Sequence, residues 1–186
     1  MSEVTEDARV SITRSFRFER EVLNVLDDEA VHMGISVNAL VGIILKRYAE
    51  FTRYLSKIDM VVVNREMLTS ILDEISEEKV YELGSKLGRS TLPDTLMFWK
   101  KELTERGIME YIEKVMCRYG HLGTYDERLM PGGQMTIVVR HGLGKKGSSF
   151  LEGYLKTGFE VTVGIKAVVE TTESSVKCEL PFAPRS

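Results

Sequence analysis

A change of hydrophobic period at Glu19 constrains this chain more than any other feature. Upstream, residues 10–18 alternate, with Ser11, Thr13, Ser15 and Arg17 on one side and Val10, Ile12, Arg14, Phe16 and Phe18 on the other, the period of a strand. Downstream, Val22, Leu23, Leu26, Ala30 and Met33 recur at three- and four-residue spacing, which predicts a helix with one apolar stripe. Gly34 supplies a left-handed C-terminal cap, and Ser36 is placed to cap a second helix striped by Val37, Leu40, Val41, Ile44, Leu45, Tyr48, Phe51 and Leu55. A lone strand leaves its backbone groups unpaired and two short helices bury little apolar surface, so the sequence predicts a second copy, with Phe16 and Phe18 entering a core shared between chains.

Strand, helix, Gly34-Ile35-Ser36-Val37-Asn38 turn and helix, entered through Arg20-Glu21-Val22-Leu23, resemble the ribbon-helix-helix family of the Arc/MetJ type over about a quarter of the chain. The resemblance implies an obligate dimer whose paired strands lie in the DNA major groove while the second helix's N-terminus holds a phosphate. Thr13, Ser15 and Arg17 would then read base edges, with Arg17 gripping guanine, and Ser36, Val37 and Asn38 would hold the phosphate. The plainer alternative is that these polar residues form the wet face of an edge strand. Residues 8–57 carry eight Lys and Arg against six acids, a balance of +2, and Asp27-Asp28-Glu29 opposes a phosphate-facing surface; non-specific affinity should therefore be low and binding strongly salt-dependent. Arg14 falls on the inward face and would have to snorkel or lie at the ribbon's edge.

The whole chain of 186 residues is 43% hydrophobic with net charge −3, enough for one good core or two small ones and unlike a general polyanion binder. No apolar run approaches the roughly 18 residues of a membrane span, and the acidic residues 1–9 read as a polar arm rather than a signal peptide. A cytoplasmic protein is expected, with Cys117 and Cys178 as reduced thiols.

Residues 10–57 read as one domain and residues 60–186 as another, joined by a hinge at 56–59. In the second, Asn64 caps a helix carrying Met67, Leu68, Ile71, Leu72 and Ile75; a further helix covers 77–87 and ends at Gly88. Thr91-Leu92-Pro93-Asp94 predicts a new helix start running to about Tyr119, with a break near Gly107. Strands 122–129 and 135–141 flank the turn Met130-Pro131-Gly132-Gly133-Gln134, Ser149 to Glu152 fits a capping box for a helix through about Phe159, and strands follow near 164–171 and 176–182. The predicted class is α+β: an N-terminal ribbon-helix-helix, then helices packed on a four-stranded, mainly antiparallel sheet. The Phe150-Leu151-Glu152-Gly153-Tyr154 helix between hairpins and the closing Val176-Lys177-Cys178-Glu179-Leu180 strand loosely resemble the ligand-binding domains of the vinyl-reductase, haem-nitric-oxide-sensor and transport-particle group. The histidine that haem would need is missing from the long helices, so no cofactor is expected.

Two constellations carry chemistry. Cys117, His121, His141 and Cys178 are the right types for tetrahedral zinc, although small buried thiols and loop-edge histidines explain them more simply. The glycine-rich, basic run Gly144, Lys145, Lys146, Gly147 and Ser148 leads to a helix and could hold an anion, or be an ordinary solvated connection. No nucleophile-base set or carboxylate pair emerges, so a non-enzyme is expected. The leading expectation is a dimeric, sequence-specific DNA-binding transcription regulator, a repressor by resemblance, with double-stranded DNA as partner and a C-terminal domain that senses a small-molecule effector or assembles. The alternative is a protein-interaction module, antitoxin-like or an assembly factor, that uses its N-terminal region to dimerise.

Overall fold

The structure is a computed structural model that describes residues 12–55 and 61–181. The polar arm at 1–9 and the hinge at 56–59 lie outside the described residues. The chain divides into two compact units, Met1–Tyr48 and Ala49–Ser186.

In the first unit, α1 (Arg20–Met33) and α2 (Val37–Arg47) meet at a tight turn. Gly34 takes φ 65°, Ile35 N–H donates to the carbonyl of Ala30 at 3.0 Å, and the Ser36 hydroxyl accepts from Ala39 N–H at 3.2 Å, so the turn's orphan backbone groups are satisfied locally. The strand expected over 10–18 is corrected: residues 12–19 have no regular secondary structure. A strand exists by exchanging N–H and C=O bonds with a neighbour, and among the described residues this segment has none. No ribbon-helix-helix is therefore shown.

The second unit is α+β, with helices packed on a four-stranded antiparallel sheet of order β1-β2-β4-β3. A π-helical stretch, Tyr48–Thr52, leads into α3 (Arg53–Leu55), and its buried Phe51 stacks on Tyr119 with ring centroids 5.4 Å apart. That stacking ties residues 49–55 to this unit, so the division falls earlier than a hinge at 56–59 would put it. The helix α4 (Arg65–Asp73) starts where Asn64 Oδ1 accepts from Met67 N–H at 2.7 Å, and Ser76 caps α5 in the same way through Lys79 N–H.

α5 runs unbroken over Glu77–Trp99, where a stop at Gly88 and a restart at Thr91 are expected. Gly84 and Gly88 do not end it because they face α7 (Gly144–Val163) at close approach: an added Cβ would stand 2.1 Å from the Phe150 carbonyl oxygen and 2.3 Å from that of Tyr154. Gly153 and Gly158 on α7 return the fit, against Tyr81 O at 2.4 Å and Leu92 Cδ2 at 2.4 Å. The chain turns after Trp99, with Lys101 at φ 61°, and Thr104 caps α6 (Glu105–Glu110) by accepting from Gly107 N–H at 3.0 Å. The break thus precedes Gly107, which lies buried inside α6. A π-helical segment, Tyr111–Tyr119, continues from α6, and the buried Tyr111 hydroxyl meets that of Tyr154 at 3.1 Å.

β1 (Gly123–Leu129) and β2 (Met135–His141) form the hairpin that the sequence predicts, closed by Met130 N–H donating to Gln134 O at 2.7 Å with Gly132 and Gly133 at positive φ. β3 (Val168–Thr171) and β4 (Ser175–Leu180) form the second. Met135, Ile137, Val139, Val176, Cys178 and Leu180 turn inward against Leu92, Leu96, Ile112, Leu151, Leu155 and Phe159. On the open face of β4, Lys177 pairs with Glu170 at 3.2 Å and Glu179 at 2.6 Å. The helix α7 starts five residues before the expected Ser149 cap and ends at Gly164, φ 74°, which shortens the strand expected from that glycine onward. Among the described residues no single helix is long and apolar enough to cross a membrane.

Candidate assembly surface

Only Ala30 and Leu40 are buried among residues 12–48. The apolar stripe of α1 and that of α2, with Phe16 and Phe18 in front, instead line an open concavity of about 330 Å³ through Val22, Leu26, Val41, Ile44 and Leu45. Phe16 is 61% exposed, Phe18 46% and Ile44 46%, and the two phenylalanine rings lie 6.4 Å apart. At roughly 25 cal/mol per Å² of apolar surface, side chains of this size that are about half exposed each forgo on the order of 1 kcal/mol. The apolar surface is continuous across the two helices.

Thr13, Ser15 and Arg17 sit exposed in the irregular lead-in to α1, not on a strand that would hold them in one row. Ser36 spends its hydroxyl on the α2 cap; Val37 and Asn38 form that helix's first turn.

The four expected metal ligands do not converge, and among the described residues no group of three or more His, Cys, Asp or Glu could hold a metal. Cys178 lies at the centre of β4 opposite Ile137 and Val169, fully buried. Burial, with Glu113 nearby, pushes the Cys117 thiol up to about 11; burial, with Glu152, pushes Cys178 up to about 12, so both stand as protonated, buried thiols. His121 is exposed at φ 53°.

His141 is engaged at both ring nitrogens. Leu143 N–H donates to Nδ1 at 3.2 Å, which leaves the proton on Nε2, and Nε2 donates to Ser148 Oγ at 3.1 Å. The Ser148 hydroxyl in turn donates to the Thr172 carbonyl at 2.5 Å. In this tautomer the histidine gives a proton to the serine and takes none from it, so the pair is a buried structural relay rather than a nucleophile with its base.

The residues expected as an anion loop, Gly144, Lys145, Lys146, Gly147 and Ser148, are the first residues of α7 itself, whose N-terminus has no side-chain cap. Lys145 pairs with Glu77 at 2.9 Å, Lys146 donates to the Asp73 carbonyl at 2.6 Å, and Gly147 and Ser148 are buried. The sequence assigned His141 and Ser148 to two different sites; no local spacing signals that the β2–α7 corner folds one onto the other.

No family model matches this chain, and no curated protein matches it. Among solved structures, a trafficking protein particle complex subunit 3 from Naegleria fowleri, covalently bound to palmitic acid, is similar at a TM-score of 0.37 and 14% identity, over 88% of this chain and 99% of that one. The ribbon-helix-helix assignment, and with it the reading as a DNA-binding repressor with double-stranded DNA as partner, is corrected on these findings. No family model matches, and the described residues of the segment meant to form the ribbon, 12–18, contain no strand.

Proposed function

We propose that this protein is an assembly module that works through protein–protein contact, its N-terminal helix pair joining two copies and its second unit forming the body carried into the complex. The observation that carries this reading is the apolar concavity between α1 and α2 in a unit with two buried side chains among its described residues. A helix pair of this length is not stable with its apolar stripes in water, whereas an identical pair offers a surface of the same chemistry and extent. The second unit needs no such help, since Leu92, Leu96, Ile108, Ile112, Ile137, Leu151, Leu155 and Phe159 already form its closed core. No catalytic role is assigned to it: the buried Ser148–His141 pair is oriented the wrong way for nucleophilic attack.

Sedimentation velocity of the full chain over a wide concentration range tests this. The expected species is a dimer, converted to monomer by Ile44→Asp, which places a carboxylate in the concavity while leaving the second unit's near-ultraviolet spectrum unchanged. A wild-type chain that stays monomeric at every concentration would sink the proposal.

A further inference from the structure

An open cleft of about 230 Å³ lies in the second unit between the start of α4, the approach to β1 and the β2–α7 corner. Val63, Leu68, Leu122 and Leu143 give it apolar walls, Arg65 and His121 stand at it, and none of its lining residues is acidic. Arg65 Nη2 donates to the His121 carbonyl at 3.0 Å. Its stem crosses Gly142, where an added Cβ would stand 3.1 Å from Nη1 and 3.3 Å from Cδ, so the glycine leaves the room in which the guanidinium lies.

A guanidinium has five N–H donors, and among the described residues this one uses a single donor, on a backbone carbonyl. Some cations of the unit are matched to carboxylates, among them Lys100, Arg106 and Lys114 to Glu110, Lys145 to Glu77, and Lys177 to Glu170 and Glu179. Arg65 has no carboxylate within ion-pair distance among the described residues. A positioned guanidinium beside apolar walls, with no acid lining the cavity, is the arrangement that recognises a carboxylate carried on a hydrocarbon group.

We propose that this cleft binds a free carboxylate borne on a small apolar group. The carboxylate meets the guanidinium fork of Arg65, and the apolar group enters among Val63, Leu68, Leu122 and Leu143. A cavity of about 230 Å³ has room for a small apolar group. Such a carboxylate has two sources, a small organic acid or the last residue of a protein chain, and both present the same chemistry to Arg65.

Isothermal titration of the full chain with 4-methylpentanoate, N-acetyl-leucine, the amide of each and inorganic phosphate tests the site. The acids are expected to bind at least about tenfold more tightly than their amides, because the amide cannot complete the charged fork. Arg65→Gln removes that preference, Arg65→Lys restores only part of it, and Gly142→Ala weakens binding by displacing the guanidinium; amide spectra of each variant establish that the fold is intact. Tighter binding of N-acetyl-leucine assigns the site to a chain terminus, and tighter binding of 4-methylpentanoate assigns it to a small acid. No heat from either acid up to about 10 mM, amides that bind as well as acids, phosphate that competes equally, or unchanged binding in Arg65→Gln each overturns the proposal.

Discussion

Gly88 on α5 and Tyr154 on α7 approach so closely that a Cβ on Gly88 would stand 2.3 Å from the Tyr154 carbonyl oxygen. The obstacle is backbone, which cannot swing aside as a side chain does. Gly88→Ala should therefore force the two helices apart, at a cost of about 1–3 kcal/mol or more, even though alanine favours the helix itself by about 1 kcal/mol. Urea denaturation should show a lower midpoint than wild type. A midpoint at or above wild type would mean that the helix pair is not locked at this crossing.

The same residue marks the limit of what the sequence disclosed. Gly88 followed by Thr91-Leu92-Pro93 has every local sign of a helix end and a new start, and only the crossing with α7 reveals that the glycine serves contact and not termination. Local signals succeed where the reason for an element is local: Asn64 caps α4, Gly34 closes α1, and Gly132-Gly133 turns the first hairpin. They fail where the reason is distant. Nothing near residue 12 says whether Phe16 has a strand partner, nothing near residue 65 says that Gly142 makes room for its arginine, and the Ser149 hydroxyl, expected as a cap, lies in the second turn of a helix, beside Glu77 and the Lys145 carbonyl.

Glu110 gathers Lys100 at 2.6 Å, Lys114 at 3.1 Å and Arg106 at 3.4 Å. Burial acts to raise its carboxyl, but the bonds from Lys100 and Lys114 outweigh it and hold the group down at about 2. A folded-state value depressed from 4.5 means that the unfolded chain binds the proton first, so this stability is complete above about 4.5 and is lost as the pH falls toward 2. Glu110→Gln should lower stability at neutral pH by about 1–3 kcal/mol and flatten the acid limb of the stability profile. An acid limb as steep as wild type would place the responsible carboxylate elsewhere.

His141 gives the opposite end of the same argument. Burial, with Arg65 adding its charge, lowers the imidazole from 6.5, and protonation would also remove Nδ1 as the acceptor for Leu143 N–H. The unfolded chain therefore takes up a proton that the fold refuses. The contribution is complete above 6.5 and declines as the pH falls below it. Denaturation midpoints measured between about pH 7.5 and about pH 5 should fall in wild type and fall less in His141→Gln, which has no proton to gain in that window. Equal slopes would exclude this histidine as the titrating group.

Phe16 offers the sharpest test of the assembly surface because it stands before the concavity without contributing to any closed core of its own chain. If a second copy covers it, truncation acts on association and leaves the second unit, whose core lies in residues from 51 to 180, untouched. A large aromatic lost from an interface centre costs about 2–4 kcal/mol, so Phe16→Ala should raise the dimer dissociation constant by roughly 30-fold or more. Concentration-dependent sedimentation measures that constant, and thermal unfolding followed at Trp99, which lies in α5, reports the second unit separately. A variant that dimerises like wild type would place the contact between copies away from this face, whereas a variant that loses the Trp99 transition would show that the two units do not fold independently.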